Sequence, residues 1–158
     1  RLLNQMDRVL TPYKNNIKDY TIHEFLTLAS VVQSEGIGDE DWPSIASVFY
    51  NRLDQKMSFG SCVTACYAAK IDSCTSSNVP TSIVSPYNTY LSSMAGKLPI
   101  GPISNPGAEA INATATPAST DYLYFVSDAH RKTYFNKTHD EHKATIARLK
   151  ALKLWLED

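Results

Sequence analysis

Apolar positions along this chain fall into a few runs with helical spacing, separated by stretches with no clear period. The strongest run is LTLASVVQSEG, Leu26 to Gly36. Ile22, Phe25, Leu26, Ala29 and Val32 share one face at that spacing. Thr21 followed by Glu24 has capping-box spacing and sets the helix start, and Gly36 sets its stop. An earlier helix runs from Arg1 to about Tyr13, with Leu2, Leu3, Met6, Val9 and Leu10 on one side. Asp41-Trp42-Pro43 opens a third, because Pro is tolerated in a first turn. Its inner face carries Ile45, Val48, Phe49 and Leu53.

The second half mixes turns, strands and one more helix. Met57 to Ser85 is rich in Ser, Thr and Cys without a period, and reads as loop with short strand or helix pieces, the kind of segment that lines a site. Leu98 to Pro102 is a rigid turn, and Asn105-Pro106-Gly107 starts a short helix. Asp121 to Val126 reads as a strand, paired with Thr133 to Asn136 through a turn at Asp128 to Lys132. Thr138 with Glu141 is a second capping box, opening a final helix with Ile146, Leu149, Leu152, Trp155 and Leu156. The fold class expected is α+β: a compact single domain over residues 1–158, with several helices, a small antiparallel sheet and a C-terminal helix.

Within this pattern one polar position stands out. Glu35 ends an otherwise apolar helix beside Leu28, Val31 and Val32. Desolvation and the negative end of the helix dipole both favour its neutral form. An acid that holds a proton near neutral pH can donate it to a glycosidic oxygen. On spacing alone, a solvated Glu at a frayed helix end is the commoner outcome, since most acids are surface acids.

Composition narrows the classes. A chain of 158 residues, 43% apolar and 20% charged, has the makeup of a globular protein with a real core. A net charge of -1 and the lack of a basic run argue against nucleic acid as partner. No apolar stretch reaches the length of a membrane span. The chain starts at Arg1 rather than Met and is expected to be a cut or processed piece, in which a lost anchor or targeting segment would not be visible.

The cysteines, Cys62, Cys66 and Cys74, are an odd number, which leaves a free thiol beside any local disulfide. A zinc site is the alternative, although no CxxC pair is present. A Cys nucleophile with His130 or His142 as base is another, without a local signature. His139 and His142 have helical spacing that suits a metal, but a solvated helix face is the simpler reading. Asp39, Glu40 or Asp41 could supply a second catalytic carboxylate; their place just before a helix also suits the dipole there.

Several pieces taken together resemble a known family. They are LTLASVVQSEG at Leu26, IASVFYNRL at Ile45, SPYNTYLSSMAGKLPIGPISNPGAEAINATATPA from Ser85, TDYLYFVSD at Thr120 and TYFNKTHDEHKATI from Thr133. In this order they resemble the catalytic domain of the YceG-like (MltG) family of endolytic murein transglycosylases. The resemblance covers about residues 21 to 150. It implies a glycan strand of peptidoglycan as substrate, and non-hydrolytic cleavage between MurNAc and GlcNAc that leaves a 1,6-anhydro-MurNAc end. It also implies an N-terminal membrane anchor and a LysM-like region outside this chain, a location on the extracytoplasmic face of the bacterial membrane, and cell-wall synthesis proteins as partners. No cofactor and no metal are expected.

The family's catalytic Glu falls on Glu35. Many members carry another acid at the position of Gln33, and its replacement here implies a single-acid mechanism. Cys62-Val63 stands where the family often reads Asp-Pro. Asn51, Ser61, Thr64, Tyr87, Asn88 and Tyr90 are the substrate-binding candidates. Amides and hydroxyls suit sugar hydroxyl and N-acetyl groups, and Tyr rings suit sugar faces. Each also has an ordinary structural use. A conventional glycoside hydrolase and a glycan-binding module without turnover are the competing functions.

Overall fold

The computed structural model describes residues 2–15, 17, 19–36, 38–72, 74 and 78–155. Among them the elements are α1 (Leu2–Leu10), α2 (Ile22–Glu35), α3 (Trp42–Asp54), α4 (Cys62–Ala69), α5 (Ala108–Ala115), β1 (Tyr124–Ser127), β2 (Thr133–Asn136) and α6 (His139–Ala151). Single 3-10 turns lie at Thr11–Tyr13, Asp39–Asp41 and Ser92–Met94. The α+β class is the one expected. The side chains of Leu2 and Leu3, and all of Leu156, lie outside the described residues.

The fold is built around α2. Phe25 and Ala29 join Leu10, Ile17, Ile111 and Ala115 in one core cluster. Leu28, Val31 and Val32 join Ile45, Ala46, Phe49 and Phe59 in another. Packing against two clusters is why the single apolar face expected from spacing is not what forms. Phe25 and all six residues from Thr27 to Val32 are buried, whereas Ile22 is 51% exposed. Two polar side chains on this buried helix are satisfied locally: Thr27 Oγ1 donates to the His23 carbonyl at 2.8 Å, and Ser30 Oγ to the Thr27 carbonyl at 2.7 Å.

Both capping boxes form, at Thr21 and Glu24 and at Thr138 and Glu141. The ends of helices follow less obvious rules. Gly36 is extended, with φ −75° and ψ 126°, and not the left-handed cap its type suggests. Trp42 is what demands glycine here: a Cβ on Gly36 would lie 1.8 Å from the indole Nε1. Helices α3, α4 and α6 instead end on lysines in the left-handed region, Lys56, Lys70 and Lys153, with φ of 54°, 58° and 56°. Each is followed by an N–H reaching back: Met57 to Arg52, Ile71 to Cys66 and Leu154 to Leu149. Helix α6 therefore stops at Ala151, and Leu152 lies beyond it, 60% exposed, contrary to the longer apolar face expected.

Strands β1 and β2 pair antiparallel, Phe125 opposite Phe135 and Ser127 opposite Thr133. β1 starts at Tyr124 and not at Asp121. Residues before it spend their carbonyls on α3 side chains: Asn51 Nδ2 donates to Thr120 and Tyr122, both at 2.9 Å, and Arg52 Nε donates to Leu123 at 2.6 Å.

The aperiodic stretch from Met57 holds α4, apolar all round and too short to show a period. Cys66 on α4 is bonded to Cys74, with Cα atoms 5.8 Å apart, and Cys62 is free. The zinc alternative fails on this pairing, and no group of three or more His, Cys, Asp or Glu side chains converges among the described residues. Reducing the bond is expected to cost about 2–3 kcal/mol, from the chain entropy of a loop this short. Urea unfolding with and without reductant measures it.

Candidate active site

Glu35 is the last residue of α2, at the edge of the cluster formed by Leu28, Val31, Val32, Phe49 and Phe59. Its carboxyl accepts a hydrogen bond from Ser61 Oγ at 2.5 Å. Burial pushes its pKa above the ordinary 4.5, while the Ser61 hydroxyl and, less strongly, the Arg52 guanidinium pull it down. Among the described residues, no carboxylate is one of the groups acting on it. The residue keeps partial exposure. Chemically, this is a carboxyl biased toward its neutral form, with one donor and one cation near enough to support the anion. Such a group can give up a proton and take one back.

Ser61 is held by its own scaffold. It is buried, its N–H donates to Thr89 Oγ1 at 3.1 Å, and its carbonyl accepts from Thr64 Oγ1 at 2.8 Å. Thr64 and Thr89 hydroxyls are 2.7 Å apart, and Gly60 N–H donates to the Thr89 carbonyl. Gly60, at φ +57°, makes the turn that aims Ser61. Removing the hydroxyl in Ser61→Ala is expected to raise the Glu35 pKa further, since the bond favours the carboxylate. A side-chain carboxyl titration by 13C NMR reads the shift; an unchanged pKa would dissociate the two residues.

The sequence candidates separate into two groups. Ser61 and Tyr90 come together with Glu35. Tyr90 is 38% exposed, and its phenol is pushed up to about 12, first by burial and then by the nearby Cys62 and Glu35. It therefore stays a neutral donor. Tyr87 stands against Tyr67, with ring centres 4.9 Å apart, and is half-buried. Thr64 and Asn88 instead turn their polar atoms inward. Thr64 and Asn88 are fully buried. Asn88 Nδ2 donates to Thr81 at 2.9 Å and Ile83 at 2.8 Å, and its Oδ1 accepts from Tyr90 N–H at 3.0 Å. The amide of Asn51 is spent on the segment before β1. Thr64 and Asn88 hold the walls from within, while Asn51 lines the larger of the cavities described below.

Other candidates also find their places. Cys62 is half-buried, and burial followed by the charge of Glu35 pushes its thiol up to about 12. A protonated thiol is a poor nucleophile, and His130 lies exposed in the hairpin turn. His142 packs under Tyr124, ring centres 5.3 Å apart, and is not on a solvated face. Asp39 and Glu40 are exposed in the turn before α3.

A model of the YceG-like family matches residues 1–148. The chain belongs to the YceG-like family. It is 36% identical over 154 residues to a protein of Streptococcus pneumoniae serotype 2 (strain D39) named endolytic murein transglycosylase, covering 92% of this chain and 27% of that protein. A Bacillus subtilis (strain 168) protein of the same name is 37% identical over 143 residues, 89% of this chain and 39% of that one. A crystal structure of a YceG-like protein from Listeria monocytogenes superposes with a TM-score of 0.79 at 35% identity, covering 89% of this chain and 45% of that chain. The chain thus spans between about a quarter and two-fifths of the curated relatives' length.

Sequence reasoning did not single out three residues that the structure brings to this candidate site: Arg52, Tyr67 and Thr89. Arg52 follows Asn51 in a helix and reads as surface charge; only the partners brought in by folding place it. Two cavities, of 520 and 730 Å3, lie along Tyr20, His23 and Pro99, and along Tyr50, Asn51 and Thr120. Neither is lined by Glu35, so the acid does not sit at the bottom of either one.

Proposed function

We propose that this chain is the catalytic part of an endolytic peptidoglycan lytic transglycosylase, with Glu35 as general acid and then general base. The observation that carries the reading is the carboxyl of Glu35, pushed toward its neutral form by burial with no second carboxylate acting on it. Names of the relatives support the substrate class.

In this reading, neutral Glu35 protonates the glycosidic oxygen between MurNAc and GlcNAc. The bond from C1 to that oxygen breaks, and the leaving sugar departs with its hydroxyl restored. Glu35, now a carboxylate held by Ser61 and near Arg52, removes the proton of the MurNAc C6 hydroxyl. O6 closes on C1 and gives the 1,6-anhydro end, with no water consumed. A two-carboxylate hydrolase needs a partner acid for its nucleophile or base. One acid serving both steps needs a pKa near the working pH; burial moves Glu35 upward in that direction, and the Ser61 hydrogen bond and Arg52 oppose it. Tyr90 and Tyr87 flank the strand as ring surfaces, and the Tyr90 hydroxyl is a donor. Ser61 serves the acid and not the N-acetyl group.

Among the described residues no helix is long and apolar enough to cross a membrane. In this reading the protein works on the extracytoplasmic face, where peptidoglycan lies; an N-terminal anchor and cell-wall synthesis partners are what the family resemblance implies.

Mass spectrometry of peptidoglycan digested by the protein tests the reading. Anhydro-ended fragments are expected. Fragments heavier by one water, with reducing ends, would make it a hydrolase and direct attention to Asp39, Glu40 and Asp41.

A further inference from the structure

Arg52 lies at the junction of three segments. It is part-buried on α3, near the end of the helix. Its Nε donates to the Leu123 carbonyl at 2.6 Å, just before β1. Its Nη1 donates to the carbonyl of Phe59 and, at 3.4 Å, to that of Ser58. The guanidinium also lies over the Tyr124 ring, 5.1 Å from its centre. The edge and one face of a planar group are therefore used at once, which lysine cannot reproduce.

These contacts lead to the acid. Ser58 and Phe59 directly precede Gly60 and Ser61, and Gly60 approaches Arg52 so closely that a Cβ there would be 3.3 Å from Nη1. Ser61 in turn donates to Glu35. We propose that Arg52 is a positioning residue for the general acid: with Nε anchored on Leu123, its Nη1 holds the Phe59 carbonyl, and more weakly that of Ser58, and so keeps the Ser61 hydroxyl on Glu35. Among the described residues, the guanidinium is also the cation acting on the Glu35 carboxyl. It favours the carboxylate that the second step requires, against a burial that favours the acid. Geometry and charge thus come from the same side chain, and the inference rests on the reading of Glu35 above.

Three variants test it in the intact protein: Arg52→Lys, Arg52→Met and Ser61→Ala. The main readout is the Glu35 carboxyl titration by 13C NMR, which needs no turnover. The pKa is expected to rise in Arg52→Lys, where the grip is lost and the charge kept, and further in Arg52→Met. Adding Arg52→Lys to Ser61→Ala is expected to raise it little beyond Ser61→Ala alone, because both act through one hydrogen bond. Glycan cleavage by Arg52→Lys is expected to fall about tenfold or more, as misplaced catalytic groups do, with the alkaline limb of its pH profile moved upward. Parent-like titration and cleavage in Arg52→Lys would overturn the proposal. So would loss of folding in both Arg52 variants, which would make Arg52 a scaffold residue only. A parent that titrates as described but cuts no glycan would defeat the proposed function and leave this inference to the titration.

Discussion

Glu35→Gln is expected to lower anhydro-product formation by roughly 10²–10⁴-fold, the usual contribution of a positioned acid or base. The substitution keeps the size of the side chain and an oxygen that can accept from Ser61 Oγ. It removes only the proton to be given and the charge that takes one back. Peptidoglycan binding is expected to survive, measured by co-sedimentation with purified cell wall. Retained cleavage would remove Glu35 from the mechanism.

The same variant carries an opposite prediction for stability. Glu35 has its pKa raised on folding, so the folded chain holds this proton more tightly than the unfolded chain. Below the ordinary value of 4.5, both states are protonated and the group is neutral toward stability in either form. As pH rises from 4.5 toward the folded pKa, the unfolded chain sheds this proton first, and the penalty of the buried carboxyl builds to its full size. Glutamine never pays it. Denaturant melts should therefore show Glu35→Gln gaining on the parent from pH 4 toward pH 8, and a gap that shrinks over this range would contradict the raised pKa. Losing function while gaining stability is a familiar sign of a group kept for its chemistry.

Gly36→Ala is the second large effect. A Cβ there would lie 1.8 Å from Trp42 Nε1 and 2.1 Å from Cδ1, far inside contact distance. Trp42 packs against the cluster of Leu28, Val31, Val32 and Phe49, so the indole has little room to retreat. Overpacking of this kind costs about 1–3 kcal/mol. Because Gly36 directly follows Glu35, cleavage should fall as well. Trp42→Leu in the same chain should recover part of the stability lost, a coupling that a double-mutant cycle in urea unfolding would measure. Equal loss with and without Trp42 would point to backbone strain instead.

Features decided by near neighbours in sequence were legible in it. Capping boxes at Thr21 and Thr138 need only a side chain and an N–H three residues apart, and both form. The apolar stretch before Glu35 likewise signalled a carboxyl short of water. Features decided at a distance were hidden. Residues 120–123 have the composition of a strand, yet Asn51 and Arg52 take their carbonyls first. Gly36 looked like a left-handed cap and is there to make room for an indole. α2 showed a single face, while two clusters bury it on more than one. Within the site, Glu35, Ser61 and Tyr90 could be named from the chain. Arg52 could not, because its meaning depends on Phe59 and Leu123 arriving beside it.

The Thr89 contacts have a mechanical consequence. Thr89 receives Gly60 and Ser61 through two bonds, and its neighbours Asn88 and Tyr90 are joined by the buried Asn88 side chain. A displacement of Tyr90 is thus transmitted to Ser61 with little slack. The aromatic wall and the donor on the acid move as one lever, and a push on one end is felt at the other.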